Sequence, residues 1–124
     1  LLKGFHCYGE AVLQKLDGMF SFAIWDKTKK ELFCARDRFG EKPFYYYFDG
    51  QKFVFASEMK AIFESGIQKQ LNNNMLFQYL AFDMVESPEN KKETFFKDIY
   101  KLEASTFLKI NLSEFKIKKQ KYWK

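Results

Sequence analysis

The sequence predicts an α+β domain with a largely antiparallel sheet, on three observations. Short strand-like runs stand at Gly18 to Asp26, Glu31 to Arg36, Phe44 to Phe48 and Lys52 to Ala56. Helical periodicity follows between Glu58 and Met84, and a last alternating pair, Phe107 to Leu112 and Phe115 to Tyr122, closes the chain. Four strands in meander order, then helices, then a hairpin, describe that layout. A length of 124 residues suits one domain, and 47% apolar with 20% aromatic content is enough to build a core. Sixteen Phe residues make that core strongly aromatic.

In chain order, Leu1, Leu2, Phe5, Val12, Leu13 and Leu16 fit two short helical turns interrupted near Gly9, where glycine tolerates the left-handed backbone that ends helices. Gly18 to Asp26 carries Phe20, Phe22 and Ile24 on one face and Ala23 and Trp25 on the other, so it is predicted to be a central strand covered from both sides. Lys27 to Lys30 forms a polar turn, and Glu31 to Arg36 returns as the second strand of a hairpin. Asp49-Gly50 joins the next two strands, a dipeptide suited to the positive angles of tight hairpins.

Ser57 is predicted to cap a helix over Glu58 to Glu64, with Glu58 in its first turn near the positive end of the dipole and Gly66 just past its end. Asn72, Asn73 and Asn74 offer caps for a second helix, in which Phe77, Leu80, Ala81 and Met84 share a face. Val85 to Glu93 reads as a loop, and Phe95 to Tyr100 as a short extended segment.

The net charge of +5 is spread along the chain, with a concentration at Lys116, Lys118, Lys119, Lys121 and Lys124. Phe115 and Ile117 alternate with Lys116 and Lys118 there, the period of a strand with one wet face. The rival reading is a basic binding module with Tyr122 and Trp123 stacking on bases. Cys7 and Cys34 have no zinc-like spacing and read as small buried hydrophobes. Adjacent residues on a helix point about 100° apart, so His6 and Cys7 make no catalytic dyad. No GxxxxGK[ST] phosphate loop occurs. No apolar run approaches the roughly 20 residues that span a bilayer. A cytoplasmic protein with no membrane or nucleic-acid partner is the expectation.

Two blocks carry the most information. Arg36-Asp37-Arg38-Phe39-Gly40-Glu41-Lys42-Pro43-Phe44-Tyr45-Tyr46 holds a polar turn between apolar runs, and Phe55-Ala56-Ser57-Glu58-Met59-Lys60-Ala61-Ile62 follows it. With Leu16 to Asp26, Phe95 to Leu102 and the final Lys121-Tyr122-Trp123, they resemble, in order and spacing, the second half of the glutaminase domain of glutamine-hydrolysing asparagine synthetases, which are class II glutamine amidotransferases. The resemblance covers nearly the whole chain. It implies a partial four-layer αββα sandwich of the N-terminal-nucleophile hydrolase type, which pattern alone does not select.

Three departures stand out. The family commonly follows "K-K-L" with "P-P/A-G", where this chain has Glu103-Ala104-Ser105; it often has Gly where this chain has Asp98; and the stretch from Pro88 to Lys92 looks like a lengthened loop.

In the Arg36 block, Arg36 can serve a carboxylate or several carbonyls, Asp37 can accept backbone N–H groups of its own loop, and Gly40 and Pro43 set the turn. Three roles stay open, in falling order: a loop knitted together for structure, one that meets a synthetase domain and helps shape an ammonia route, or one that takes a direct part in catalysis. Ser57 and Glu58 read as a helix start rather than a nucleophile and its base.

In the family, a cysteine at the start of the mature chain attacks glutamine, and ammonia passes to a second site where ATP and Mg²⁺ activate aspartate. The glutamine-binding motifs "R-H-R-G-P-D", "N-G-E-I-Y-N" and "S-G-S-D-x-E" are not found here, and residue 1 is Leu1. The resemblance therefore transfers no catalytic, cofactor or metal position. The expectation is an incomplete type 2 amidotransferase domain over 1–124, inactive alone. Its partners would be the missing N-terminal half and the synthetase domain, with glutamine and aspartate as the parent's substrates. The alternative parent is another class II amidotransferase with a different acceptor.

Overall fold

The computed structural model describes residues 1–124 and divides into two compact units, Leu1–Lys42 with Ala104–Lys124, and Pro43–Glu103. The first opens with α1 (Leu2–Tyr8), a 3₁₀ turn over Gly9–Ala11 and α2 (Val12–Lys15). Gly9 sits at φ +56°, the left-handed break expected there. Strands β1 (Ser21–Asp26) and β2 (Glu31–Arg36) form the predicted hairpin, with Ser21 opposite Arg36 and Asp26 opposite Glu31.

β2 then pairs not with the next strand but with β6 (Thr106–Asn111), which pairs with β7 (Lys116–Lys121), all antiparallel in the order β1-β2-β6-β7. The meander expectation is thus corrected: the polar loop after Arg36 turns the chain away, and the partner of β2 comes from about seventy residues later.

A second correction concerns β1, which is an edge strand rather than a central one. Burial on both faces falls instead on β2 and β6, the strands with neighbours on each side. On one face Phe33, Ala35 and Phe107 pack with Val12 and Leu13 of α2, joined by Phe5, Leu16, Phe20, Phe22 and Tyr122. The Phe33 ring lies 4.8 Å from Phe5, 6.2 Å from Phe22 and 5.3 Å from Phe107. On the other face Cys34, Leu108 and Ile110 are buried. The terminal lysines of β7 are exposed and Ile117 is half-buried, which is the wet-faced strand of the sequence pattern.

The second unit contains β3 (Tyr45–Phe48) and β4 (Phe53–Ala56) joined at Asp49-Gly50, where Gly50 lies at φ +88° and the Asp49 carboxylate accepts from Gln51 and Lys52 N–H groups. β5 (Ile99–Lys101) pairs with β3, giving the order β4-β3-β5. The extended segment therefore begins later than expected, although Leu71 and Phe96 make an isolated bridge. Its core is aromatic: Phe44 stacks on Phe55 with centroids 5.5 Å apart, and the buried Tyr46 ring meets Tyr100 at 5.7 Å.

α3 (Met59–Glu64) buries Ile62, and α4 (Asn73–Phe82) is capped by the Asn72 side chain, which accepts from Asn74 and Met75 N–H groups. The expected α4 core face is not buried: Phe77 is 62% and Leu80 74% exposed, and Met75 is the residue that turns inward. Helical spacing identified neighbours on α4 but not which side the rest of the unit covers. The longest helix has ten residues, and no helix is long and apolar enough to cross a membrane.

Phe33 joins the helical and strand layers of the first unit, so Phe33→Ala leaves a cavity that the surrounding rings cannot refill. It is expected to lower stability by about 3–5 kcal/mol, read from urea unfolding followed by circular dichroism.

Candidate functional site

The Arg36–Pro43 loop is held by two neighbouring side chains of opposite charge that divide its backbone between them. Asp37, 1% exposed, takes the donors: its carboxylate accepts from the N–H groups of Phe39 (3.1 Å), Glu41 (3.0 Å), Lys42 (3.0 Å) and Phe20 (3.3 Å). Arg36 takes the acceptors, donating through Nε to the Lys42 carbonyl at 2.7 Å and through Nη2 to the Gly40 carbonyl at 2.6 Å. Asp37 also donates its own N–H to the Phe20 carbonyl at 2.8 Å, which extends the β1–β2 ladder into the loop. Its carbonyl accepts from Gly40 at 3.2 Å and from Ser105 at 2.8 Å.

Burial raises the Asp37 pKa, but the N–H groups of Lys42, Glu41, Phe39 and Phe20 outweigh it and hold the carboxyl below its ordinary value. Gly40 lies at φ +69°, and a Cβ there would meet Ala104 at 3.2 Å and the Arg36 guanidinium carbon at 3.3 Å. Both the angle and the lack of room call for glycine. Pro43, exposed, begins the second unit.

The closing Tyr122-Trp123 docks on this loop, a link that sequence reasoning missed. The Tyr122 hydroxyl donates to the Arg36 carbonyl at 2.8 Å, and its N–H donates to the Ser105 carbonyl at 2.8 Å. Burial, followed by the Asp37 charge, pushes the Tyr122 phenol up to about 12, against the opposing pull of Arg38. Trp123 meets Phe39 edge-on at 5.5 Å and lies 5.7 Å from the Arg38 guanidinium. Gln14 donates to the Tyr122 carbonyl, and Arg38 approaches Asp17 at 3.9 Å. The rings considered for base stacking thus already have partners within the chain. The repeated family signature at both ends of the match was the only sequence signal that could have paired them.

Ser57 and Glu58 do not start α3 as expected. Glu58 occupies the cap position in an extended conformation without a side-chain bond, and both residues are exposed. Ser57 stands one residue too early to reach the first free N–H groups. Of the cysteines, Cys34 is buried, which pushes its thiol up, but Cys7 is exposed, contrary to expectation. α1 fully buries none of its residues, and it is Phe5 rather than Cys7 that leans on the core. No group of three or more His, Cys, Asp or Glu converges to hold a metal. The chemistry of the loop is that of a scaffold: a charge-assisted clamp on backbone groups.

The departures from the family pattern have a geometric counterpart. Ser105 and Asp98, which stand where the resemblance has glycine, both adopt positive φ, 54° and 62°. The backbone shape is kept with side chains that strain it.

The sequence pattern of the glutamine amidotransferase domain matches residues 1–123. The chain belongs to that family. It is 37% identical over 126 residues to a Methanocaldococcus jannaschii protein named as a glutamine-hydrolysing asparagine synthetase, covering 99% of this chain and 24% of that protein. It is 39% identical over 124 residues to asparagine synthetase [glutamine-hydrolyzing] 2 of Bacillus subtilis, covering 95% of this chain and 16% of that one. With asparagine synthetase [glutamine-hydrolyzing] 3 of the same organism it shares 34% over 114 residues, covering 91% and 19%. The chain spans about a quarter or less of the length of these relatives. Its α+β, mainly antiparallel architecture is compatible with the N-terminal-nucleophile amidotransferase fold.

Two outcomes follow for this amidotransferase domain. Asp37→Asn removes the charge and points an amide donor at other donors, and is expected to cost about 2–3 kcal/mol at neutral pH in chemical unfolding. Because the folded Asp37 pKa lies below the ordinary 3.8, the wild type keeps that advantage above this value and loses it as pH falls through the folded pKa, so the two proteins converge in acid. Ser105→Gly relieves the left-handed strain and is expected to stabilise by about 0.5–1 kcal/mol in the same assay.

Proposed function

We propose that this chain is the rear part of the glutaminase portion of a glutamine-hydrolysing asparagine synthetase. The observation that carries the reading is a match running the whole length of the chain to synthetases four or more times longer. In this reading other polypeptide supplies the terminal cysteine and the glutamine-binding groups. Glutamine is the ammonia source and aspartate the acceptor, and ATP with Mg²⁺ belongs to the synthetase portion. The only buried thiol here, Cys34, has its pKa raised and stays a packing group rather than a nucleophile.

The contribution of these residues is positional. Arg36, Asp37 and Gly40 hold the loop that ends the β1–β2 hairpin, and Tyr122 fixes the chain's exit from β7 to that loop. Pro43 is a turn residue, Glu58 occupies the cap position of α3 and Ser57 precedes it, all three exposed on the second unit. Both crossings between the units, Lys42-Pro43 and Glu103-Ala104, lie within two residues of groups bonded to Asp37. A loop so placed sets the direction in which the chain leaves the sheet, which suits a part that must hold catalytic strands made elsewhere. The reading sets the protein in the cytoplasm, where two unpaired thiols stay reduced.

The purified chain is expected to release no glutamate or ammonium from glutamine. Grafted in place of the matched segment of the Methanocaldococcus relative, it is expected to give a hybrid that hydrolyses glutamine within about tenfold of that relative, a difference of about 1.4 kcal/mol in the barrier. A folded hybrid without glutaminase activity, or turnover by the chain alone, contradicts the reading.

A further inference from the structure

α4 turns toward solvent a face that carries no charge. From Gln70 to Phe82 the chain has no Asp, Glu, Lys or Arg, whereas a helix at a protein surface ordinarily sets charged residues on its outer side. Met75 is buried and the Tyr79 ring meets Phe95 at 5.7 Å, so these two residues, one turn apart, hold the helix to its unit. At about 100° per residue Phe77, Leu80 and Ala81 fall on the opposite side, and all three are exposed. Phe82 meets the Phe77 ring edge-on at 6.2 Å and Val85 follows, both more than half exposed. Together these side chains leave on the order of 500 Å² of apolar surface open.

The two ends of that face complement each other. Exposed Asn73 and Asn74 stand at the start of α4, its positive dipole end. At the far end Asp83 closes the helix in the left-handed conformation and is exposed. The charges next along the chain are already engaged: Lys69 lies over the Phe63 ring at 5.1 Å, and Glu86 pairs with Lys101 at 2.7 Å. Two α4 helices laid antiparallel, with Phe77 of one on Leu80 of the other, bring each Asp83 beside the other's Asn74, and the small Ala81 lets the backbones approach.

We propose that the outer face of α4 is a self-association surface, on which a second copy of this chain docks through its own α4 in a two-fold antiparallel arrangement. A two-fold contact requires one patch to complement itself. This patch does so twice over: an uncharged stripe meets no like charge when it is doubled, and each carboxylate lies at the positive end of the facing helix. Composition favours a second copy over another domain of the same polypeptide, because contacts between domains of one chain are more polar than permanent ones, whereas homodimer interfaces are apolar. Burying about 500 Å² on each copy reaches the roughly 1,000 Å² at which specific association begins, so the dimer is expected to be of micromolar strength. The inference goes beyond the glutaminase reading and does not depend on it.

The test is sedimentation velocity of the 124-residue chain over a concentration series from about 1 to 200 μM, where a monomer–dimer transition is expected. Leu80→Lys sets two like charges in the doubled stripe and is expected to weaken the dimer at least about 30-fold, with an unchanged circular dichroism spectrum because the side chain lies outside the core. Asp83→Asn keeps a residue that tolerates the left-handed conformation and is expected to weaken it about fivefold at low salt and hardly at all at high salt. A chain that stays monomeric throughout, that forms species larger than a dimer, or that dimerises equally well with Leu80→Lys overturns the inference. The hybrid synthetase described above supplies a second measurement: if it is monomeric and a thiol introduced by Leu80→Cys is closed to maleimide, the face belongs to the parent's other polypeptide and the inference falls, while glutamine hydrolysis by that hybrid leaves the glutaminase reading standing.

Discussion

The Asp37 carboxylate is the constraint on which the first unit depends. It is fully buried, and a buried charge is tolerated only when its lone pairs are occupied. Four backbone N–H groups occupy them, drawn from the end of the loop before β1 and from the loop after β2. One side chain thus closes the open end of the β1–β2 hairpin. Arg36 complements it by taking the carbonyls that the same turn leaves behind. The backbone of Asp37 reaches further, to Ser105, and through Ser105 and Tyr122 to the end of β7. Loop, hairpin and terminal strand are parts of one hydrogen-bonded cluster.

That arrangement explains why this stretch of the chain carries such a dense family signature. The residues in the signature are those whose geometry leaves few substitutes: an acid that must stay charged when buried, a guanidinium serving two carbonyls, and a glycine at positive φ pressed against that guanidinium. Where the signature departs, at Ser105 and Asp98, the positive φ persists, so the fold has kept the shape of the turn and accepted the strain.

Local features were legible in the sequence because their causes are local. Gly9 breaks the first helix, Asp49-Gly50 turns the second hairpin, and Asn72 caps α4, each through the backbone freedom or side-chain oxygen of one or two residues. Long-range features were not. Apolar residues on both sides of Ser21–Asp26 suggested a central strand, but the number of neighbours a strand has is set by chain from elsewhere, and here it pairs on one side only. The same reasoning failed for Phe77 and Leu80, whose helical spacing carries no information on which face is covered. Both misses occur where apolar surface lacks a neighbour within the chain, as expected of one that spans a quarter or less of its relatives. Tyr122 and Arg36, 86 residues apart, could be paired only through the family resemblance.

The most direct test of the central claim is a titration of the Asp37 side-chain carboxyl followed by carbon NMR in the folded chain. The account predicts a midpoint clearly below the ordinary value of 3.8, with the Phe39, Glu41 and Lys42 amide resonances moving together with it. A midpoint at or above that value, or amides that ignore the titration, would show that burial outweighs the four donors and that the loop is held by something else.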